Sequence, residues 1–136
     1  MQLKDLKVLT DSLAILYVED DIDLRRQNRE FMEHLFKKIE VADDGERAME
    51  LYQKHDFDIV ITDINIPKIN GLSMIKMMKK KNAEQKFLVT TVYKQEELKS
   101  QLCELNIKNF LSKPIQTIDL LREIEDICHE LVADTI

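Results

Sequence analysis

Apolar positions along the chain switch between short unbroken runs and runs of helical period, and the switching predicts five strand–helix units. Residues 13–18 form a continuous apolar run that stops at Glu19-Asp20-Asp21, which reads as a first strand with an acidic end. From about residue 23 to residue 36, Leu24, Asn28, Phe31 and Leu35 repeat at helical spacing, with Arg25, Arg29 and Glu33 elsewhere. A short second strand at about 38–41 leads to the turn Asp43-Asp44-Gly45, and a helix over 46–55 follows with Ala48, Leu51 and Tyr52 on one side. The run Ile59-Val60-Ile61-Thr62 does not alternate, so it predicts a central strand buried on both faces. Pro67 and then Asn70-Gly71 force a loop after it. A helix over 72–81 carries Leu72, Ile75 and Met78, and residues 87–90 form the fourth strand. The next helix, about 96–105, stops at Asn106, a residue that tolerates the left-handed conformation just past a helix end. Residues 109–111 are the fifth strand, closing with Ser112-Lys113-Pro114, and a last helix from 118 to about 132 repeats Leu120, Ile124, Ile127 and Leu131. Five such units with short links call for right-handed crossovers, hence an α/β fold with a doubly wound five-stranded parallel sheet. Ahead of them, Leu3, Leu6 and Leu9 leave a short helix and a loose leader equally open for residues 1–12, with the domain proper at 13–136.

Composition narrows the class. A chain of 136 residues suits one domain, able to bury roughly two-thirds of its unfolded surface. With 44% hydrophobic and 34% charged residues but two Gly and two Pro, it is a helix-rich globular sequence and neither disordered nor fibrous. The formal charge of −6 and the lack of any massed basic surface exclude direct nucleic-acid binding as an expectation. Lys79-Lys80-Lys81, the one basic run, falls at a helix end, where the dipole favours it. Cys103 and Cys128 are isolated thiols without metal spacing, which fits a reducing compartment. The run at 13–18 is too short to cross a bilayer, and residues 1–12 lack the apolar core of a signal peptide, so the expectation is a cytoplasmic protein with no membrane partner.

The candidate chemistry lies at strand ends. Glu19 and Asp20 end the first strand, Asp63 the third, Thr90 the fourth and Lys113 the fifth. The carboxyl edge of an open α/β sheet is where ligands bind. In the strand order 2-1-3-4-5 the first and third strands are neighbours, so three carboxylates crowd one space and repel unless a cation sits among them. Oxygen donors, two or three protein groups and room for water suit Mg²⁺, whereas Ca²⁺ wants more ligands than these loops offer. Any two of Glu19, Asp20 and Asp21 can form the metal pair, and Asp21 also reads as a helix N-cap.

Taken in order, Val18-Glu19-Asp20-Asp21, Asp43-Asp44-Gly45 with Ala48, Thr62-Asp63-Ile64-Asn65-Ile66-Pro67 with Gly71, Val89-Thr90-Thr91 and Phe110-Leu111-Ser112-Lys113-Pro114 resemble the receiver domain of bacterial two-component response regulators. The resemblance runs from about residue 13 to residue 132 and implies the flavodoxin-like (βα)5 fold with strand order 2-1-3-4-5. It implies a phosphorylation-activated signalling switch that catalyses only its own phosphorylation and dephosphorylation. Asp63 is then the phosphoacceptor, charged from a phosphohistidine on a sensor histidine kinase or phosphotransfer protein. Asp20 is the direct Mg²⁺ ligand with Glu19 acting through water, which settles the register of the acidic trio, and Asn65 lends its backbone carbonyl. Lys113 and Thr90 hold phosphoryl oxygens, the Lys113-Pro114 bond is cis, and Phe110 is the aromatic that turns inward when Thr90 moves. The shift alters the face made by the helix at 96–105, the fifth strand and the last helix. An effector domain or downstream protein reads that face, and a phosphorylation-linked homodimer is a further implied partner.

Some positions depart from the family's habit. Thr91 stands where a smaller residue is usual, Val92 is apolar at a position tied to hydrolysis, Asn106-Ile107 replaces a frequent Gly-Ala pair, and the last helix lacks the basic dimer-face pattern of the DNA-binding subfamily. These bear on phosphoryl lifetime and dimer geometry. A phosphatase using Asp63 would want an acid where Asn65 stands. An interaction module that is never phosphorylated is opposed by the complete acid set, and a flavin protein by the absence of a glycine-rich loop after the first strand.

Overall fold

The computed structural model describes residues 3–92 and 96–134. Eleven elements follow in order: α1 (Leu3–Thr10), β1 (Ala14–Val18), α2 (Ile22–Glu33), β2 (Lys38–Ala42), α3 (Gly45–Lys54), β3 (Ile59–Asp63), α4 (Gly71–Lys81), β4 (Lys86–Thr91), α5 (Glu96–Glu104), β5 (Phe110–Ser112) and α6 (Thr117–Asp134). The strands form one parallel sheet in the order β2-β1-β3-β4-β5, the doubly wound arrangement expected from the sequence. The central strand β3 is buried at all five positions, as its unbroken apolar run requires.

Helices cover both faces. Ala48, Leu51, Tyr52, Met74, Ile75, Met78 and Leu102 bring α3, α4 and α5 against Leu16, Val18, Val60 and Val89 on one side. On the other, Leu6, Met32, Leu120, Ile124 and Ile127 bring α1, α2 and α6 against Ile15, Tyr17, Ile59, Ile61 and Leu88. Helix starts are capped by side chains that satisfy otherwise orphaned amides: Asp21 for α2, Asp44 for α3 and Asn70 for α4. Asn106 takes a left-handed φ of 61°, as expected of the residue that stops α5.

Of the two alternatives open at the N-terminus the helix is the one formed, and one helix end departs from the apolar pattern. Residues 3–10 are helical and docked, with Leu6 buried and the Thr10 hydroxyl donating to the Leu35 carbonyl at 2.7 Å. Helix α2 ends at Glu33 rather than at residue 36, because Lys37 and Lys38 turn to donate their amides to the Leu13 carbonyl. Leu35 and Phe36 are buried all the same, in the connection.

Candidate functional site

Four strand ends meet at the carboxyl edge of the sheet. The Glu19 amide donates to the Ala42 carbonyl at 3.0 Å, so the sheet ladder holds the chain one residue past β1 before it breaks away. The next turn is fixed by Asp21, whose carboxylate accepts from the Asp23 and Leu24 amides at 3.0 and 3.1 Å. Asp63, the last residue of β3, is the register partner of Thr90 on β4, and the Ile64 amide donates to the Thr90 carbonyl at 3.1 Å. On β5 the ladder runs on to the Lys113 amide, 2.6 Å from the Thr91 carbonyl, just before a cis Lys113-Pro114 bond.

These placements put one ammonium between two buried acids. Lys113 Nζ lies 2.7 Å from Glu19 Oε1 and 2.7 Å from Asp63 Oδ2. Glu19 is 1% exposed and Asp63 6%, so neither carboxylate has bulk water to disperse its charge. Their remaining oxygens take backbone donors, Asp63 Oδ1 from the Asn65 amide at 3.0 Å and Glu19 Oε2 from the Asp21 amide at 3.2 Å. Burial pushes the Glu19 carboxyl up, against the hydrogen bonds from Lys113 and the Asp21 amide. Burial also disfavours the Lys113 charge, but the hydrogen bonds to Asp63 and Glu19 outweigh it and the ammonium is held above its ordinary value.

Asp20 completes the group from the solvent side. One carboxylate oxygen from each of Glu19, Asp20 and Asp63 falls within 4.8 Å of the others. Lys113 neutralises one of the three, which leaves two negative charges for a cation to meet. An all-oxygen donor set, buried on two sides and open on the third, fits a small hard dication that keeps several waters.

The loop after β3 is shaped by two close approaches. A Cβ at Gly71 would lie 2.7 Å from the Asp63 carbonyl oxygen, and the Gly71 amide donates to the Ile64 carbonyl at 2.9 Å. A Cβ at Gly45 would collide with the Ile69 carbonyl oxygen, and the Gly45 amide donates to the Pro67 carbonyl at 3.1 Å. The two glycines thus let helices α4 and α3 pin both ends of the loop that carries Asn65. Lys68, at a left-handed φ of 70°, adds ion pairs to Asp44 at 3.4 Å and Glu46 at 3.7 Å.

The structure brings together Glu19, Asp20, Asp63 and Lys113, sets Thr90 beside Asp63, and gives Asp63 the Asn65 amide. Phe110 is separate: it is paired with Val89 and packs half-buried against the α3–α5 side of the core. Two neighbours of the pocket escape sequence reasoning. Tyr17 lies two residues before Glu19, and its hydroxyl accepts from Asn28 Nδ2 at 2.8 Å. Burial, with smaller contributions from Glu19 and Asp63, pushes that phenol up to about 12. Arg25 donates from Nη1 to the carbonyls of Glu19 at 2.8 Å and Asp20 at 3.5 Å. An asparagine inside the apolar stripe of α2 is the one sequence signal that a polar partner waits on the sheet.

The model of the response regulator receiver domain family matches residues 15–125. The chain belongs to that family. Receiver domains serve two-component signalling as phosphoacceptor modules rather than as conventional enzymes. The chemotaxis protein CheY of Halobacterium salinarum is 27% identical over 113 residues, covering 83% of this chain and 94% of that protein. The crystal structure of the N-terminal domain of an uncharacterized protein from Wolinella succinogenes superposes with a TM-score of 0.82 at 33% identity, covering 90% of this chain and 99% of the other. A cyclic di-GMP phosphodiesterase of Thermotoga maritima is 27% identical over 110 residues, covering 81% of this chain but 29% of its own length. This receiver domain therefore carries the acidic pocket of its family at Glu19, Asp20 and Asp63. No helix among the described residues is long and apolar enough to cross a membrane.

Proposed function

We propose that this receiver domain is a cytoplasmic phosphorylation switch whose phosphoacceptor is Asp63. The observation that carries the reading is the buried Asp63 carboxylate held at 2.7 Å by an ammonium that also holds Glu19. A carboxylate oxygen of Asp63 attacks phosphorus in a phosphohistidine of a sensor kinase or phosphotransfer protein. An O–P bond forms, the N–P bond breaks, and the imidazole leaves with its electron pair. Glu19, Asp20, Asp63 and the Asn65 carbonyl are the groups that would hold Mg²⁺, which when bound offsets the charge of carboxylates and phosphoryl oxygens. Lys113, already bonded to the acceptor, keeps a positive charge beside the incoming phosphoryl group, and the Thr90 hydroxyl offers it a donor.

The phosphorylated side chain carries about two negative charges in place of one, with three strong acceptor oxygens. Lys113 and Thr90 follow it, Phe110 repacks, and the α5–β5–α6 face changes for an effector domain, a separate downstream protein or a second phosphorylated copy. Relatives in which a receiver segment is a minor part of a longer signalling protein support the first of these. The test is intact-mass measurement after incubation with fresh acetyl phosphate and Mg²⁺. One phosphoryl adduct is expected on the native protein and none on Asp63→Asn. An adduct that persists in Asp63→Asn, or none on the native protein, overturns the assignment.

A further inference from the structure

We infer that Arg25 is a specificity-determining residue of the transfer, selecting phosphodonors by the negative charge they carry; the inference rests on Asp63 being the phosphoacceptor. Arg25 lies one turn into α2, and its guanidinium is tethered through Nη1 to the backbone carbonyls of Glu19 and Asp20. Carbonyls fix a guanidinium without cancelling its charge. Among the described residues no carboxylate lies at ion-pair distance from Arg25, in contrast to Arg29 with Glu33 at 3.0 Å and Arg47 with Glu50 at 3.1 Å. The side chain is half-buried, so solvent screens it only in part.

The tether therefore stations an uncommitted positive charge against the backbone of the two residues whose carboxylates cluster with Asp63. Lys113 offsets one of the three carboxylates, and a divalent cation offsets the other two. Arg25 is then the charge that turns a neutral pocket into one that attracts an anion. Over a separation on the order of 10 Å at low ionic strength, where the Debye length is about 30 Å, one charge changes the approach of each unit of donor charge by about twofold. Loss of Arg25 should slow a dianionic donor about fourfold and a monoanionic one about twofold.

The test compares acetyl phosphate, a dianion, with phosphoramidate, of net charge −1 near neutral pH, by intact-mass time courses at low ionic strength with Mg²⁺. In Arg25→Gln the ratio of acetyl phosphate to phosphoramidate rate constants is expected to fall about twofold, with a flatter salt dependence for acetyl phosphate. Arg25→Lys keeps the charge and should keep the ratio. Arg29→Gln makes the same change in net charge one turn further along and should also keep it. Calorimetric titration of the donor-free protein with Mg²⁺ supplies a readout apart from phosphorylation. Arg25→Gln should bind the ion more tightly, because a like charge has gone. Equal slowing of both donors, a Lys variant that behaves like Gln, the same ratio change in Arg29→Gln, or weaker Mg²⁺ binding in Arg25→Gln would each overturn the inference. Native protein that forms no adduct with either donor instead overturns the phosphoacceptor reading, and the Mg²⁺ titration still reports whether the Arg25 charge reaches the pocket.

Discussion

At the scale of single residues the pocket depends on one shared counter-charge. Glu19 and Asp63 are both buried and both lean on Lys113, so removing the ammonium leaves two carboxylates facing each other with only a backbone amide apiece. Breaking a buried pair from one side typically costs about 3–5 kcal/mol. Lys113 is itself 15% exposed, which places Lys113→Met toward the lower figure, about 3 kcal/mol. Urea denaturation without divalent ions should show that loss, and Mg²⁺ should recover more stability in Lys113→Met than in the native protein, since the ion no longer competes with the lysine. A loss under about 1 kcal/mol, or equal stabilisation of both proteins by Mg²⁺, would show that the acids have another partner. The strand-end positions of all these residues are legible in the sequence, because each apolar run stops at a chemically distinct side chain. Their pairing is not. Glu19 and Lys113 are 94 positions apart, and nothing local says that one ammonium serves two acids. Tyr17 is hidden for another reason: in an apolar strand a tyrosine reads as a core ring, and its hydroxyl becomes meaningful only when Asn28 arrives from the neighbouring helix.

Among the elements, the clearest gain over the sequence is α1. The spacing of Leu3, Leu6 and Leu9 carries a helical period, but eight residues are too few to be stable as an isolated helix. Packing decides the matter: Leu6 is 3% exposed in the layer that contains Ile124 and Ile127 of α6, and Thr10 bonds the Leu35 carbonyl beyond the end of α2. The helix thus lies ahead of the 15–125 span of the family match and ties the last helix to the connection between α2 and β2. Leu6→Ala should cost about 2–4 kcal/mol, as for other buried leucines, and Thr10→Val about 1–3 kcal/mol for the orphaned carbonyl. Chemical denaturation measures both. Values within about 0.5 kcal/mol of the native protein would mean that α1 rests on the domain without supporting it. The end of α2 teaches the converse lesson. Phe31 and Leu35 keep helical spacing, and Leu35 and Phe36 are buried as that spacing expects. The chain nonetheless leaves the helix at Glu33, because β2 has to begin where Lys37 and Lys38 can reach the Leu13 carbonyl. Periodicity reports which residues face the core, and the sheet decides where the helix must stop.

For the molecule as a whole, its buried proton-binding groups set how it responds to alkali. Burial pushes the Tyr17 phenol from 10.0 to about 12 and the Cys128 thiol from 9.0 to about 11. Burial likewise raises Tyr52, while Lys113 is raised because its hydrogen bonds to Asp63 and Glu19 outweigh its burial. All four hold a proton more tightly in the folded chain than in the unfolded one. Their stabilising contribution is therefore complete below the unfolded values, the lowest being 9.0 for the thiol, and is lost as pH rises through the folded values. A shift of two units corresponds to about 2–3 kcal/mol, so ionising Tyr17 and Cys128 together would cost the folded chain a large part of an ordinary domain's stability. Both face the layer under α1, α2 and α6, and that layer should open first. Urea midpoints should hold steady up to pH 9 and fall steeply between pH 9 and pH 12. Tyr17→Phe should lessen the part of the fall above pH 10, leaving what Tyr52 and Lys113 contribute, and Cys128→Ala, whatever its cost at neutral pH, should remove the part that begins near pH 9. A native profile that stays flat to pH 11, or slopes unchanged in both variants, would mean that the two groups ionise without unfolding the layer that buries them.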